Sequence, residues 1–144
     1  MKNLLLLITL CCSAFSFAQN DKEQIKKTVE NFFTAMKNAD VNALKNTFSE
    51  TFFFQTVAKD GTVKTEDAQK FAEGISKYAK GDLDERITIR KILTDGQLAS
   101  IWMDYQFVFK GKVSHCGVNS FQLVKQNGIW KIQYIIDTRK KCKN

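Results

Sequence analysis

The only histidine of the chain, His115, stands in the stretch Gly111-Lys112-Val113-Ser114-His115-Cys116-Gly117-Val118-Asn119, and Tyr105 lies ten residues before it. Imidazole has an ordinary pKa of about 6.5, so it can take up and release a proton near neutrality. With the Tyr105 phenol as a hydrogen-bond donor to a developing oxyanion, His115 could move a proton beside a carbonyl. Two quieter roles stay open for it: orienting a ligand, or sitting in the core bonded to Tyr105 and a backbone group. A metal site is not expected, because Cys116 and Cys142, 26 positions apart, and a single His are too few for a closed zinc centre. No cofactor is expected either.

These groups must be held by elements that the hydrophobic pattern defines. Residues 21–38 place Ile25, Val29, Phe32, Phe33 and Met36 on one helical stripe, with Asp21 as candidate cap. Asp40 can cap a second, short helix with Val41, Leu44 and Phe48 on one side. A short strand with a turn at Asp60-Gly61 follows. A third helix is expected from Thr65, ended by Gly81, carrying Ala68, Phe71, Ala72, Ile75 and either Tyr78 or Ala79 at helical spacing. From Glu85 onward the chain alternates with period two, broken at Asp95-Gly96, Lys110-Gly111 and Asn127-Gly128. Long strands joined by such short turns make an antiparallel meander. The fold class is α+β, with N-terminal helices packed on a strongly curved antiparallel sheet.

This succession resembles the nuclear transport factor 2-like superfamily, whose SnoaL-like members share a cone-shaped, cystatin-like half barrel. It is most similar to a group of exported bacterial domains described as putative lumazine-binding. The likeness covers about residues 21–142 and is carried by Ile101–Phe107, Gly111–Lys125 and Gly128–Cys142. It implies a cone with a concave, helix-covered interior. It does not imply one activity, since the superfamily holds isomerases, dehydratases, cyclases and transport adaptors.

Strand parity then assigns faces. If Asn127-Gly128 makes a two-residue turn, Gln126 faces Ile129, and Phe121, Leu123, Trp130, Ile132, Tyr134 and Ile136 share the interior with His115 and Asn119. If Phe109-Lys110-Gly111 forms a three-residue loop, Tyr105 opposes His115, Met103 opposes Gly117 and Ile101 opposes Asn119. The expected ligand-binding set is Tyr105, His115, Asn119, Met103, Trp130, Tyr134, Phe32 and Met36, an aromatic cavity suited to a small, flat molecule. Enzymes of the resembled superfamily use an inward carboxylate, but this register turns Asp104 and Asp137 outward. Asp67 and Glu73 read as a helix-start charge and a solvated residue. Trp102, Val118, Ile135 and Val124, with Asp104, Asp137 and Arg139, form an outer patch through which a homodimer is expected.

The chain opens with Lys2, an apolar run over Leu4–Leu10, and Ser16 and Ala18 ahead of Gln19. This is the pattern of a secretory signal peptide, residues 1–18, cleaved near Ala18. The run is interrupted by Thr9, Ser13 and Ser16, so stable membrane insertion is not expected. Residues 19–144 are then one domain, periplasmic or secreted. Its charge is +6, spread without a block of like charges, so no nucleic acid partner is expected. Cys11 and Cys12 leave with the leader, and a disulfide between Cys116 and Cys142 is expected in an oxidising compartment if the tail bends after Arg139. The chain thus reads as an exported small-molecule-binding domain without a demonstrable catalytic set. The alternatives are an isomerase, dehydratase or cyclase using His115 and Tyr105, and a protein-interaction module acting through the outer sheet face.

Overall fold

The computed structural model describes residues 2–143, with side chains from residue 20 onward. The side chains of the expected signal peptide therefore lie outside the described residues. Helix α1, Lys2–Lys37, buries Ile25, Val29, Phe32, Phe33 and Met36, the stripe that the spacing predicts. It continues past Asp21, so Asp21 is not its cap; that carboxylate instead lies 2.6 Å from Lys125 Nζ and accepts from Trp130 Nε1 at 3.2 Å. Among the described residues no helix is long and apolar enough to cross a membrane.

Asp40 caps α2, Val41–Lys45, by accepting from the Ala43 amide at 2.9 Å. Strand β1, Phe48–Val57, starts at the residue expected to end that helix. The turn at Asp60-Gly61 returns the chain as β2, Val63–Glu66, which pairs antiparallel with β1. This pairing takes Thr65 and Glu66 away from the third helix. That helix, α3, is only Ala68–Ile75, capped by Asp67, whose side chain accepts from the Lys70 amide at 2.8 Å.

The meander comprises β3, Leu83–Asp95; β4, Leu98–Phe109; β5, Lys112–Gln126; and β6, Ile129–Lys140. The six strands lie in the order β2-β1-β6-β5-β4-β3. The sheet is mixed rather than wholly antiparallel, because β6 offers its free edge to β1, which runs parallel to it.

Three one-residue irregularities decide what faces the interior. The β4–β5 connection is a two-residue turn with Lys110 at φ 49° and Gly111 at φ 77°, not a three-residue loop. An extra residue, Ser114, then restores the parity. His115, Asn119 and Tyr105 therefore share a side as expected, but the register is displaced: Tyr105 opposes Gly117, Phe107 opposes His115, Met103 opposes Asn119 and Ile101 opposes Phe121.

In β6 the expected pairing holds from Gln126–Ile129 to Leu123–Ile132, and there Gln133 is inserted without a partner on β5. Its amide is used on the other side: Nε2 donates to the Thr51 carbonyl at 2.8 Å, and Oε1 accepts from Ser49 Oγ at 2.7 Å. Beyond this bulge the faces of β6 exchange. Tyr134 and Ile136 leave the interior, while Ile135 and Asp137 enter it. The expected outer patch therefore loses Ile135, Asp137 and Arg139 and keeps Trp102, which is 54% exposed. The third irregularity, at Arg90 in β3, lets that guanidinium pair with Asp104 on the outer face at 2.6 Å.

Candidate functional site

Between α1, α3 and the concave side of the sheet lies a cavity of about 690 Å³. Phe32, Phe33 and Met36 of α1, Phe71 of α3, and Phe121 and Ile135 of the sheet form its apolar walls. Its polar side is built from Glu85, Tyr105, His115, Asn119, Asp137 and Arg139, contributed by four adjacent strands.

Asp137 is the centre of this group. It is only 5% exposed, and its Oδ2 lies 3.2 Å from both the Tyr105 hydroxyl and Arg139 Nε. Its Oδ1 is buried without a partner among the described residues. The Tyr105 hydroxyl is also 2.9 Å from the Thr138 carbonyl, and its single proton can serve only one acceptor at a time. Burial, reinforced by Asp137 and Glu85, raises the pKa of this phenol, so it stays a donor.

Glu85 is partly buried, and its remaining surface lines the cavity. Burial pushes its carboxyl up to about 7; the hydrogen bond from Asn119 Nδ2, at 2.6 Å to Oε1, acts in the opposite direction, and the nearby Asp137 charge adds to the rise. His115 is drawn below its ordinary value by burial and by the Arg139 charge, partly offset by Asp137. Its Nδ1 lies 3.1 Å from Ser114 Oγ, and its ring stands edge-on to Tyr105 with centroids 5.7 Å apart. No hydrogen bond joins it to Tyr105, and among the described residues none joins it to a carboxylate.

Gly117 makes the arrangement possible. A Cβ there would fall 1.8 Å from the Thr138 carbonyl oxygen and 2.5 Å from Tyr105 Cε1. The Tyr105 ring occupies the space that a side chain on β5 would need.

Of the expected set, Tyr105, His115, Asn119, Phe32 and Met36 line the cavity. Met103 is packed into the core and does not line it. Trp130 is buried with its indole on Asp21, away from the cavity lining. Tyr134 is turned to the other face by the Gln133 bulge and donates to Gln55 Oε1 at 2.6 Å. Glu85 and Asp137 are the residues that sequence reasoning missed. Glu85 shares its parity with Leu83, Ile87 and Ile89, a period-two signal that places it inward. Asp137 gave no such signal, because its side depends on one inserted residue.

Cys116 and Cys142 are bonded, with Cα atoms 5.0 Å apart. The β6 bulge sets Cys116 opposite Lys140 instead of Arg139, so the strand runs on to Lys140 and Cys142 lies two residues, rather than three, beyond the paired position.

The model of one protein family, described as "Putative lumazine-binding", matches residues 20–134. No curated protein matches the chain. Among solved structures, the chain is similar to a nuclear transport factor 2-like protein of unknown function from Shewanella baltica, with 18% identity, 85% of this chain and 96% of that one covered, and a TM-score of 0.71. A domain with a cystatin-like fold from Nostoc punctiforme gives 18% identity, coverages of 85% and 79%, and a TM-score of 0.67. A ketosteroid isomerase-like protein from Erwinia carotovora atroseptica gives 16%, coverages of 82% and 95%, and a TM-score of 0.59. At these identities the likeness is one of fold.

Proposed function

The chain belongs to the Putative lumazine-binding family within the nuclear transport factor 2-like fold, and from that premise we propose that its cone binds a small, flat, partly aromatic molecule. The observation that carries this reading is the 690 Å³ cavity with aromatic walls and polar groups gathered on one side. Its volume is in the usual range for small-molecule sites, which fix orientation with a few polar groups inside apolar walls. Tyr105, Asn119 and Glu85 would orient the ligand, while Phe32 and Phe71 would cover its ring faces. The test is titration with lumazine, with mass spectrometry of whatever co-purifies. Tyr105→Phe and Asn119→Ala should each weaken binding about tenfold, the effect of one hydrogen bond worth about 1.4 kcal/mol. Equal affinity in wild type and both variants would count against the site.

A second reading, proton transfer on a carbonyl compound, is favoured by two inward acids, one of them with a pKa of about 7. On this reading Glu85 is the proton carrier and Tyr105 the oxyanion donor, since among the described residues His115 has no carboxylate partner. The raised carboxyl also has a consequence for stability. Between about pH 4.5 and pH 7 the unfolded chain has lost the Glu85 proton while the folded chain keeps it, so the native state binds more protons and stability falls as pH rises. His115, with its lowered pKa, contributes in the opposite sense over this range, so the Glu85 contribution is read as a difference: relative to Glu85→Gln, the wild type should lose about 2 kcal/mol between pH 5 and pH 7 in urea unfolding. An unchanged pH slope in that variant would refute the assignment.

Export of the mature domain is supported by the leader-like first 18 residues and the bonded cysteine pair. A homodimer is supported by the exposed Trp102 on the outer face. Mass analysis of the natural product should find Gln19 first, in particles of twice the chain mass. Retained Met1 would refute export, and a monomer would refute the pairing.

A further inference from the structure

We infer that the open end of the cone docks on an anionic lipid surface, through lysines and exposed apolar side chains that three separate segments bring together around the cavity mouth. The first segment is the β4–β5 turn, with Lys110 and Lys112 between Phe109 and Val113. The second is the turn before β3, carrying Lys77, Tyr78 and Lys80. Leu83 pairs with Phe109, the Lys110 amide donates to the Asp82 carbonyl at 2.8 Å, and the Tyr78 ring stands edge-on to Phe109 at 5.6 Å. The third is the tail, where Lys140 opposes Cys116 and the Cys116–Cys142 bond holds Lys141 and Lys143 at the same end of the sheet. Lys77, Tyr78, His115 and Arg139 also line the cavity, which puts this patch at its opening.

The seven lysines are spread along the sequence and only folding concentrates them. All seven are exposed, and among the described residues none is in a salt bridge. Of the carboxylates close by, Asp82 accepts from the Ala79 amide at 3.1 Å and Asp84 pairs with Lys37 and Arg86, while Glu66, on the cavity lining, acts on Arg139 and leaves the seven lysines in excess. Between the charges stand Tyr78, Phe109 and Val113, which are 39%, 37% and 54% exposed.

Aromatic and aliphatic groups flanked by lysines suit the headgroup layer, where rings enter the interface and ammonium groups meet anionic phosphates. The composition is less suited to nucleic acid. Base and phosphate recognition favours the planar fork of arginine, and the one arginine here, Arg139, is tied to Asp137. The Tyr78 and Phe109 rings meet edge to face, which leaves no parallel platform for successive bases. Docking in this orientation would place the cavity mouth against the lipid.

Co-sedimentation of the protein with vesicles of phosphatidylglycerol and phosphatidylcholine, compared with phosphatidylcholine alone, tests this. Binding should require the anionic lipid and fall with salt. Lys110→Asn with Lys112→Gln, which keeps a residue suited to the positive φ of the turn, should weaken binding about 30-fold at about 1 kcal/mol per lysine. Lys141→Gln with Lys143→Gln, outside every strand, should do the same without touching the fold. Lys22→Gln with Lys27→Gln on α1, an equal change of net charge, should alter binding less than twofold. Equal loss in all three variants, indifference to phosphatidylglycerol, or single-stranded DNA bound as tightly and lost with the same variants would overturn the inference.

Discussion

Gly117→Ala is expected to cost about 3 kcal/mol or more and to lower the melting temperature by roughly 12 °C. Overpacking is tolerated where a flexible side chain can move aside. Here the added methyl would meet a backbone oxygen, that of Thr138 at 1.8 Å, together with the Tyr105 ring. The oxygen belongs to β6, paired with β5 on one side and β1 on the other, so it cannot move without opening the centre of the sheet. If the ring moves instead, the Tyr105 hydroxyl leaves Asp137 and Thr138, and the polar side of the cavity loses its donor. Either route should reduce ligand affinity along with stability. Tyr105→Ala should not rescue Gly117→Ala, because the contact with Thr138 persists. A thermal melt of the single variant within 2 °C of wild type would sink this account.

Cutting the Cys116–Cys142 bond, by reduction or as Cys142→Ser, should cost about 3.5 kcal/mol, the closure entropy of a loop of that length in the denatured chain. The closed loop contains β5 from Cys116 onward, the Asn127-Gly128 turn and all of β6. Urea unfolding with and without reductant measures the difference, and Cys142→Ser should be indifferent to reductant. Matching midpoints for bonded and reduced wild type would show that the denatured chain gains nothing from release.

Much of the frame is legible in the sequence. The stripe from Ile25 to Met36 has one helical solution, and Asn127-Gly128 fixes the first pairs of β5 and β6. The shared side of Tyr105, His115 and Asn119 follows from period two, and it survives the wrong turn type because Ser114 makes up the missing residue. What is not legible is where a strand gains a residue. In Ile132-Gln133-Tyr134-Ile135-Ile136-Asp137 the apolar side chains occupy both parities, so either face of the distal half can be buried. The choice is made by contacts far away in sequence, with Ser49 and Thr51, and it carries Asp137 from outside to inside. Helix α3 fails for a similar reason: Thr65 and Glu66 suit its first turn, yet β1 claims them.

The strand order bears on how the chain assembles. The β1–β2 hairpin joins the rest of the sheet only through β6, the last strand of the six in chain order. Until β6 has formed, β1 keeps one edge unsatisfied, with Phe52, Phe53 and Phe54 close to it. Closing that edge joins residues about 80 positions apart, a contact of high sequence separation that slows folding. A chain emerging N-terminus first would therefore pass through an interval with an open, phenylalanine-rich strand, the kind of exposed edge on which newly made chains associate with one another.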